Sequence, residues 1–386
     1  MTTFRRNVLV LSIVLVAAVA GYCWKQPRCK HCPLKEAYEK EAPYTIGTLR
    51  QLELVQTEIL LRQKGKHGTS PFARSLRRYS DDALMAAAIR ARAIYGRDNR
   101  VDPSDRWFLR AAIRRNVSAT AAIIDCTHFE PPCEAMNVAV YRFHNPKTVE
   151  QNQICCEERF HEQISAARCT AFLISSTEVV TARHCVDDVA QLARSYFVFD
   201  FKKSIFGRVP MEYTYGRNLF KPAGGPILQS CPDDKLDWAI VKLDRSVPAG
   251  RPFVTLGNGA PPFRAPLYAI GYPLGTPVKY VPGAVVREND SSKFFVANLD
   301  GFKGSSGSPV FDEHDEVQGI WVRGEKTLAE THCGCKRALP CSDESCRGEE
   351  ITRISFVPRK HAQPDCSQPT GLTRPYESKA TLPIPR

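Results

Sequence analysis

The sequence predicts an all-β domain, a barrel or sandwich of antiparallel strands, preceded by a small helical extension. Three observations carry that expectation. Short runs rich in β-branched and aromatic residues appear from about Ile94 onward, separated by Gly, Pro and Asn. No segment repeats at a spacing of ~20–50 residues, which argues against solenoids and propellers. The composition is 43% hydrophobic and 24% charged, that of a chain able to bury a core rather than a disordered or fibrous one.

The expected strands lie at residues 137–142, 171–175, 196–199, 238–243, 267–272, 294–297, 308–311 and 317–322. The helical part comes first. Arg5 and Arg6 precede an apolar run from Val8 to Ala20, and Ala18-Val19-Ala20 has the small-x-small pattern of a signal cleavage site, so residues 1–20 read as an export signal. A spanning helix needs ~20 apolar residues, so an uncleaved membrane anchor would require the run to extend through Tyr22 and Trp24. Tyr22 stands where a lipoprotein would need a small residue before Cys23.

Residues 21–93 read as a basic helical extension or pro-segment. Thr48 and Gln51 have capping-box spacing, and Leu49, Leu52, Val55 and Ile59 recur at helical intervals. Gly65, Gly68, Ser70 and Pro71 break that pattern, and Ser80 starts a second, alanine-rich helix ending near Ala93. Between Arg62 and Arg115, 14 Lys or Arg stand against 5 Asp, which accounts for most of the net charge of +12. No aromatic-interleaved or Gly-rich motif accompanies this charge. It therefore reads as a solvated surface, with no nucleic-acid partner expected. Residues 94–360 make the β domain and 361–386 a polar, proline-rich tail. Asn116-Val117-Ser118 and Asn289-Asp290-Ser291 are glycosylation sequons, relevant only in a eukaryotic secretory pathway.

Three segments carry chemistry. His184 follows a buried run at Val179-Val180-Thr181-Ala182. Asp237 stands immediately before the apolar run Trp238-Ala239-Ile240-Val241. Ser306 sits in the turn Gly304-Ser305-Ser306-Gly307, which leads into Ser308-Pro309-Val310-Phe311. Acyl transfer needs this trio of residue types. A serine hydroxyl is a weak nucleophile until an imidazole takes its proton, and a carboxylate must hold that imidazole in the right tautomer. Glycines let the turn aim backbone N–H groups at one point, and Gly304 and Ser306 are the expected oxyanion donors. The order His184, Asp237, Ser306, each in its own local pattern, makes a serine endopeptidase the expected activity, with protein or peptide substrates and no metal or organic cofactor.

The chain resembles trypsin-like serine proteases, in particular the bacterial V8/glutamyl-endopeptidase-like branch. Thr181-Ala182-Arg183-His184-Cys185 resembles that family's Thr-Ala-Ala-His-Cys, and the nucleophile turn resembles its Gly-Asn-Ser-Gly-Ser-Pro-Val-Phe with Ser305 in the Asn place. Asp237-Trp-Ala-Ile-Val-Lys-Leu, Gly271-Tyr272-Pro273 and the segment from Tyr95 to Arg100 are similar to further motifs of the branch, and the run from Ile351 to Val357 to its last barrel strand. The resemblance implies two six-stranded antiparallel barrels, with His184 and Asp237 on the first and Ser306 on the second.

It also implies a disulfide between Cys169 and Cys185 that pins the histidine loop. The remaining cysteines of the fifteen are read as disulfides, given the oxidising compartment that export implies. Cys126 and Cys133 suit a short-loop bridge. Cys333, Cys335, Cys341 and Cys346 form either disulfides or a zinc site, and the lack of Cys-x2-Cys pairs favours disulfides. An odd count leaves one thiol over, with Cys23 the candidate.

By the same resemblance, Asp300, six residues before Ser306, would floor the pocket for the side chain preceding the cut, favouring Arg or Lys. Gly324 would lie on the strand edge that pairs with substrate backbone, leaving the pocket open. Trp321 stands where the glutamyl-specific branch has a histidine, which argues against Glu specificity. Ser305 replaces the Asp that pairs with a newly cut N-terminal amine in digestive relatives, so the oxyanion turn is expected to form without that switch.

Overall fold

The computed structural model describes residues 58, 61–62, 65–79 and 98–358, apart from short stretches at 106–108, 134, 136–137, 157, 225–228, 231–235, 325–327, 331–334 and 339–346. The expected export signal, most of the helix after Thr48, the helix after Ser80, Cys23, Cys333, Cys341, Cys346 and the tail from 361 lie outside the described residues, while residues 58 and 61–62 are helical. Within them, Ser70 accepts from the Ala73 N–H and caps a short helix, α1 (Pro71–Leu76), while α2 (Ala111–Ser118) turns Ile113 and Val117 into the core.

The first sheet contains β1 (Thr120–Asp125), β2 (Ala167–Leu173), β3 (Glu178–Thr181), β4 (Ser195–Phe199), β5 (Leu219–Phe220), β6 (Gln229–Ser230) and β7 (Ala239–Lys242), in the spatial order β5-β4-β1-β2-β3-β7-β6. Every pairing is antiparallel. A bridge between Pro222 and Leu243, with Asp244 N–H donating to the Lys221 carbonyl, brings the chain after β5 back to the end of β7. Six strands thereby curl into a barrel.

The second sheet contains β8 (Thr255–Leu256), β9 (Pro266–Gly271), β10 (Lys279–Glu288), β11 (Phe294–Ala297), β12 (Pro309–Phe311), β13 (Glu316–Arg323) and β14 (Glu349–Arg353). Its order is β8-β13-β12-β9-β10-β11-β14, and an additional pairing of β13 with β14 closes six strands into a ring. Closure removes the unpaired edges that an open sheet would expose.

The two barrels share apolar contacts. One continuous cluster joins Ile123, Phe172, Phe197 and Trp238 of the first to Tyr268, Ile270, Tyr272 and Ile320 of the second. A smaller cluster around Leu267, Phe295, Val310, Trp321 and Ile351 fills the second barrel. This is the all-β double barrel that the sequence predicts. Two long strands, besides the two-residue β5, β6 and β8, escaped the sequence pattern. β1 is alanine-rich and buried on both faces, so it shows no alternation, and β10 contains Pro282 and Gly283, which read as a break. Asn116 of the first sequon is buried, and its amide donates to the Tyr268 hydroxyl at 3.0 Å.

Residues 98–105 run along the second barrel as a strap. Val101 bridges Tyr280, Asp98 pairs with Arg100 and Arg159, and the Asn99 N–H donates to Asp300 Oδ2 at 2.9 Å. Buried beneath it, Lys279 Nζ donates to Asp102 Oδ1, to Gln163 Oε1 and to the Pro277 carbonyl, each at 2.7 Å. Lys203 and Gln163 hold the other Asp102 oxygen. Three cations of the basic stretch are thus engaged locally, Arg100 with Asp98, Arg62 with Glu58 and Arg110 with Asp315. A buried pair is costly to break from one side, because the surviving charge is stranded. Asp102→Ala should therefore lower stability in urea denaturation by about 3–5 kcal/mol, whereas Asp102→Leu combined with Lys279→Met should cost clearly less than Asp102→Ala alone.

Candidate active site

Register places the acid beside the base. β7 pairs with β3 so that Ala239 faces Thr181 and Ile240 faces Val180. Carried two residues further, the same register sets Asp237 against the loop that follows Thr181, where His184 lies. Trp238, fully buried next to Asp237, anchors the start of the strand.

Asp237 grips the histidine twice. His184 Nδ1 lies 2.6 Å from Asp237 Oδ2, and the His184 backbone N–H donates to Asp237 Oδ1 at 3.0 Å. Nδ1 therefore carries the proton, and Nε2 is left as the basic nitrogen. The imidazole is 44% exposed and the carboxylate 15%, so the ring opens to solvent while its partner is screened. Burial pushes the Asp237 carboxyl upward, but the His184 hydrogen bonds and the nearby positive charges of His184 and Arg323 outweigh it. The carboxyl stays below its ordinary range, an anion at neutral pH.

The disulfide expected between Cys169 and Cys185 is present and ties β2 to the histidine loop. Cys126–Cys133 is present as well. A third bridge, Cys155–Cys335, joins residues 180 apart in sequence and assigns one member of the distal cysteine cluster to a disulfide rather than to zinc.

The serine comes from the other barrel. Ser305 N–H donates to the Phe302 carbonyl, Ser308 N–H to the Ser305 carbonyl, and Gly307 N–H to the Trp321 carbonyl at 2.7 Å. Among the described residues the N–H groups of Gly304 and Ser306 have no partner. Those two amides are the expected oxyanion donors, and the turn leaves both uncommitted while employing their neighbours. Ser305 is buried and closes the turn internally through its backbone and hydroxyl. Gly304 and Gly307 have φ of +101° and +86°, and a Cβ on Gly307 would lie 2.0 Å from the Thr170 carbonyl, so glycine is required there.

Thr170 joins the two halves, and the sequence reading missed it. Its N–H donates to the Ser306 carbonyl at 2.8 Å and its hydroxyl to the Gly304 carbonyl at 2.9 Å. The same hydroxyl accepts from Tyr272 N–H, and the Thr170 carbonyl accepts from the Thr181 hydroxyl at 2.6 Å. Thr170 is fully buried and directly follows Cys169. The only available signal was its place beside the bridging cysteine. Cys185 Sγ lies 3.8 Å from the Ser306 carbonyl, so the residue next to His184 touches the serine's own backbone.

Ser306 Oγ faces the Val322 carbonyl at 3.5 Å, the outer limit of a hydrogen bond, and no bond to His184 is formed. Catalytic hydrogen bonds are often loose before substrate arrives. Gly324 is exposed just beyond Val322 on β13, whereas Asp300 is buried and spends one oxygen on the Asn99 N–H. Asp300 therefore serves the strap and does not present an open carboxylate floor.

Residues 169–320 match the family model described as a trypsin-like peptidase domain. Among solved structures, a Glu endopeptidase shares 14% identity over 67% of this chain and 93% of its own, with a TM-score of 0.40. An inactive serine-to-alanine variant of Rv3671c from M. tuberculosis H37Rv shares 14% identity over 63% of this chain and 84% of its own, with a TM-score of 0.34. No curated protein matches the sequence. The matched segment runs from the first cysteine of the histidine loop through Asp237 and the Ser306 turn, and over it the chain is similar to trypsin-like peptidase domains, within the double-barrel, chymotrypsin-like fold.

Proposed function

We propose that the chain is an exported serine endopeptidase that works through His184, Asp237 and Ser306. The doubly held His184–Asp237 pair, tied through Cys185 and Thr170 to the Ser306 turn, is the observation that carries this reading. In the reaction, Ser306 Oγ attacks the scissile carbonyl while His184 Nε2 takes the hydroxyl proton. The oxyanion of the tetrahedral intermediate is met by the Gly304 and Ser306 N–H groups. His184 then gives its proton to the departing amine, leaving an acyl-enzyme that water hydrolyses by the same steps in reverse roles. Asp237 stays ionised throughout and stabilises the imidazolium.

Export is read from Arg5, Arg6 and the apolar run to Ala20, and the disulfides among the described residues suit an oxidising compartment. Among the described residues no helix is long and apolar enough to cross a membrane. The peptidase domain is taken as residues 94–360, with residues 21–93 an extension of it.

A fluorophosphonate probe should label wild-type protein and leave Ser306→Ala unlabelled. Absent labelling of folded wild type would mark a non-catalytic binding protein. Asp237→Asn should keep the fold and lower kcat by roughly 10⁴, the loss typical when a triad carboxylate is neutralised. Thr170→Val strands the Gly304 carbonyl and the Tyr272 N–H. It should cost about 1–3 kcal/mol in thermal or urea unfolding and lower kcat more than it raises KM, since the oxyanion turn is what loosens. Because the folded Asp237 carboxyl is held below its ordinary value, its ionisation stabilises the fold above that value and the benefit fades as pH falls through the folded one. Acid-unfolding curves of Asp237→Asn should therefore be shallower than those of wild type.

A further inference from the structure

Two backbone walls meet beside Ser306. One is the segment 300–305 leading into the nucleophile. The other is 322–324, held against it by Ser306 Oγ facing the Val322 carbonyl and by Gly307 N–H donating to Trp321. Each wall contains a glycine, Gly301 buried and Gly324 exposed, and each has a side chain standing where its Cβ would be. A Cβ on Gly301 would lie 1.9 Å from Trp321 Cζ2, so the indole rests directly on that backbone. A Cβ on Gly324 would lie 1.7 Å from Glu349 Oε2, so the carboxylate rests on the opposite one. Trp321 Nε1–H donates to the same Glu349 oxygen at 2.8 Å. One indole and one carboxylate, joined by a hydrogen bond, thus span the gap from wall to wall. Both are buried, at 3% and 4% exposure.

Such a bridge resists displacement. Moving the indole would break a buried charge-assisted hydrogen bond and uncover a large aromatic surface from the core of the second barrel. Asp300, the acidic residue expected to attract a basic side chain, is itself buried and bonded to the strap. Both acids near the Ser306 turn are thus buried and hydrogen-bonded.

We propose that the Trp321–Glu349 bridge closes the primary side-chain pocket and restricts the residue preceding the cut to Gly, Ala or Ser. This rests on the peptidase reading and replaces the Arg/Lys preference expected from Asp300. Positional peptide libraries should show kcat/KM at least tenfold higher for Gly, Ala or Ser than for Arg, Lys, Phe or Glu at that place. Trp321→Val, checked for folding by thermal melting, should raise cleavage after larger residues at least tenfold relative to Ala. A second measurement needs neither catalysis nor a core variant. Fluorescence anisotropy with Ser306→Ala should show a product peptide ending in Ala binding at least tenfold tighter than the same peptide ending in Arg. Wild-type cleavage after Arg or Lys, equal binding of the two peptides, or binding of neither would overturn the inference. Failure of wild type to react with fluorophosphonate would instead overturn the catalytic reading, and the anisotropy result would still decide the pocket.

Discussion

The site depends on one buried residue that does no chemistry. Thr170 belongs to the first barrel, yet its N–H and hydroxyl hold the carbonyls of Ser306 and Gly304 in the second. Its own carbonyl is held by Thr181, three residues before the histidine. A buried hydroxyl is tolerated only when bonded, and this one donates to Gly304 of the serine turn and accepts from Tyr272. The barrels therefore cannot slide past one another without leaving several polar groups unpaired in the interior. That penalty, more than any direct contact between Ser306 and His184, fixes the distance across the cleft.

Around this joint the polar groups divide into committed and uncommitted. The amides of Ser305, Gly307 and Ser308 are consumed in shaping the turn, which leaves those of Gly304 and Ser306 for a ligand. The His184 Nδ1 side is consumed by Asp237, which leaves Nε2. Preorganisation of this kind matters because donors already in place need not reorient as charge develops. The strap at residues 98–105 extends the same logic to the back of the second barrel, where Asp102 and Lys279 satisfy each other and Asp300 is occupied by a main-chain amide. Charge is buried there for position rather than for recognition.

The chemistry-bearing segments were legible because each is local. A histidine after a buried strand, an aspartate before one, and a serine between glycines are patterns a few residues long, and so is the close pair Cys126–Cys133. Strands with clean turn signals were legible for the same reason, as at Phe294–Ala297 and Pro309–Phe311. What stayed hidden was either featureless or distant. β1 lies inside its sheet and is buried on both sides, so alternation is erased, and α2 is too short for its Ile113 and Val117 to stand out. Cys155–Cys335 spans a separation of 180, which no spacing rule reaches.

By itself the sequence determined the class of the fold and the glycines that the Ser306 turn requires, and it singled out His184, Asp237 and Ser306 as the trio to look for. These follow from short-range backbone geometry and from what a proton transfer needs. Only the tertiary structure decided that Thr170 locks the barrels together, that Asp300 faces the strap, and that Trp321 meets Glu349 across the pocket. Those outcomes depend on which side chains converge once two closed sheets have packed. That convergence is set by register and burial summed over the whole domain, and no local run of residues encodes it.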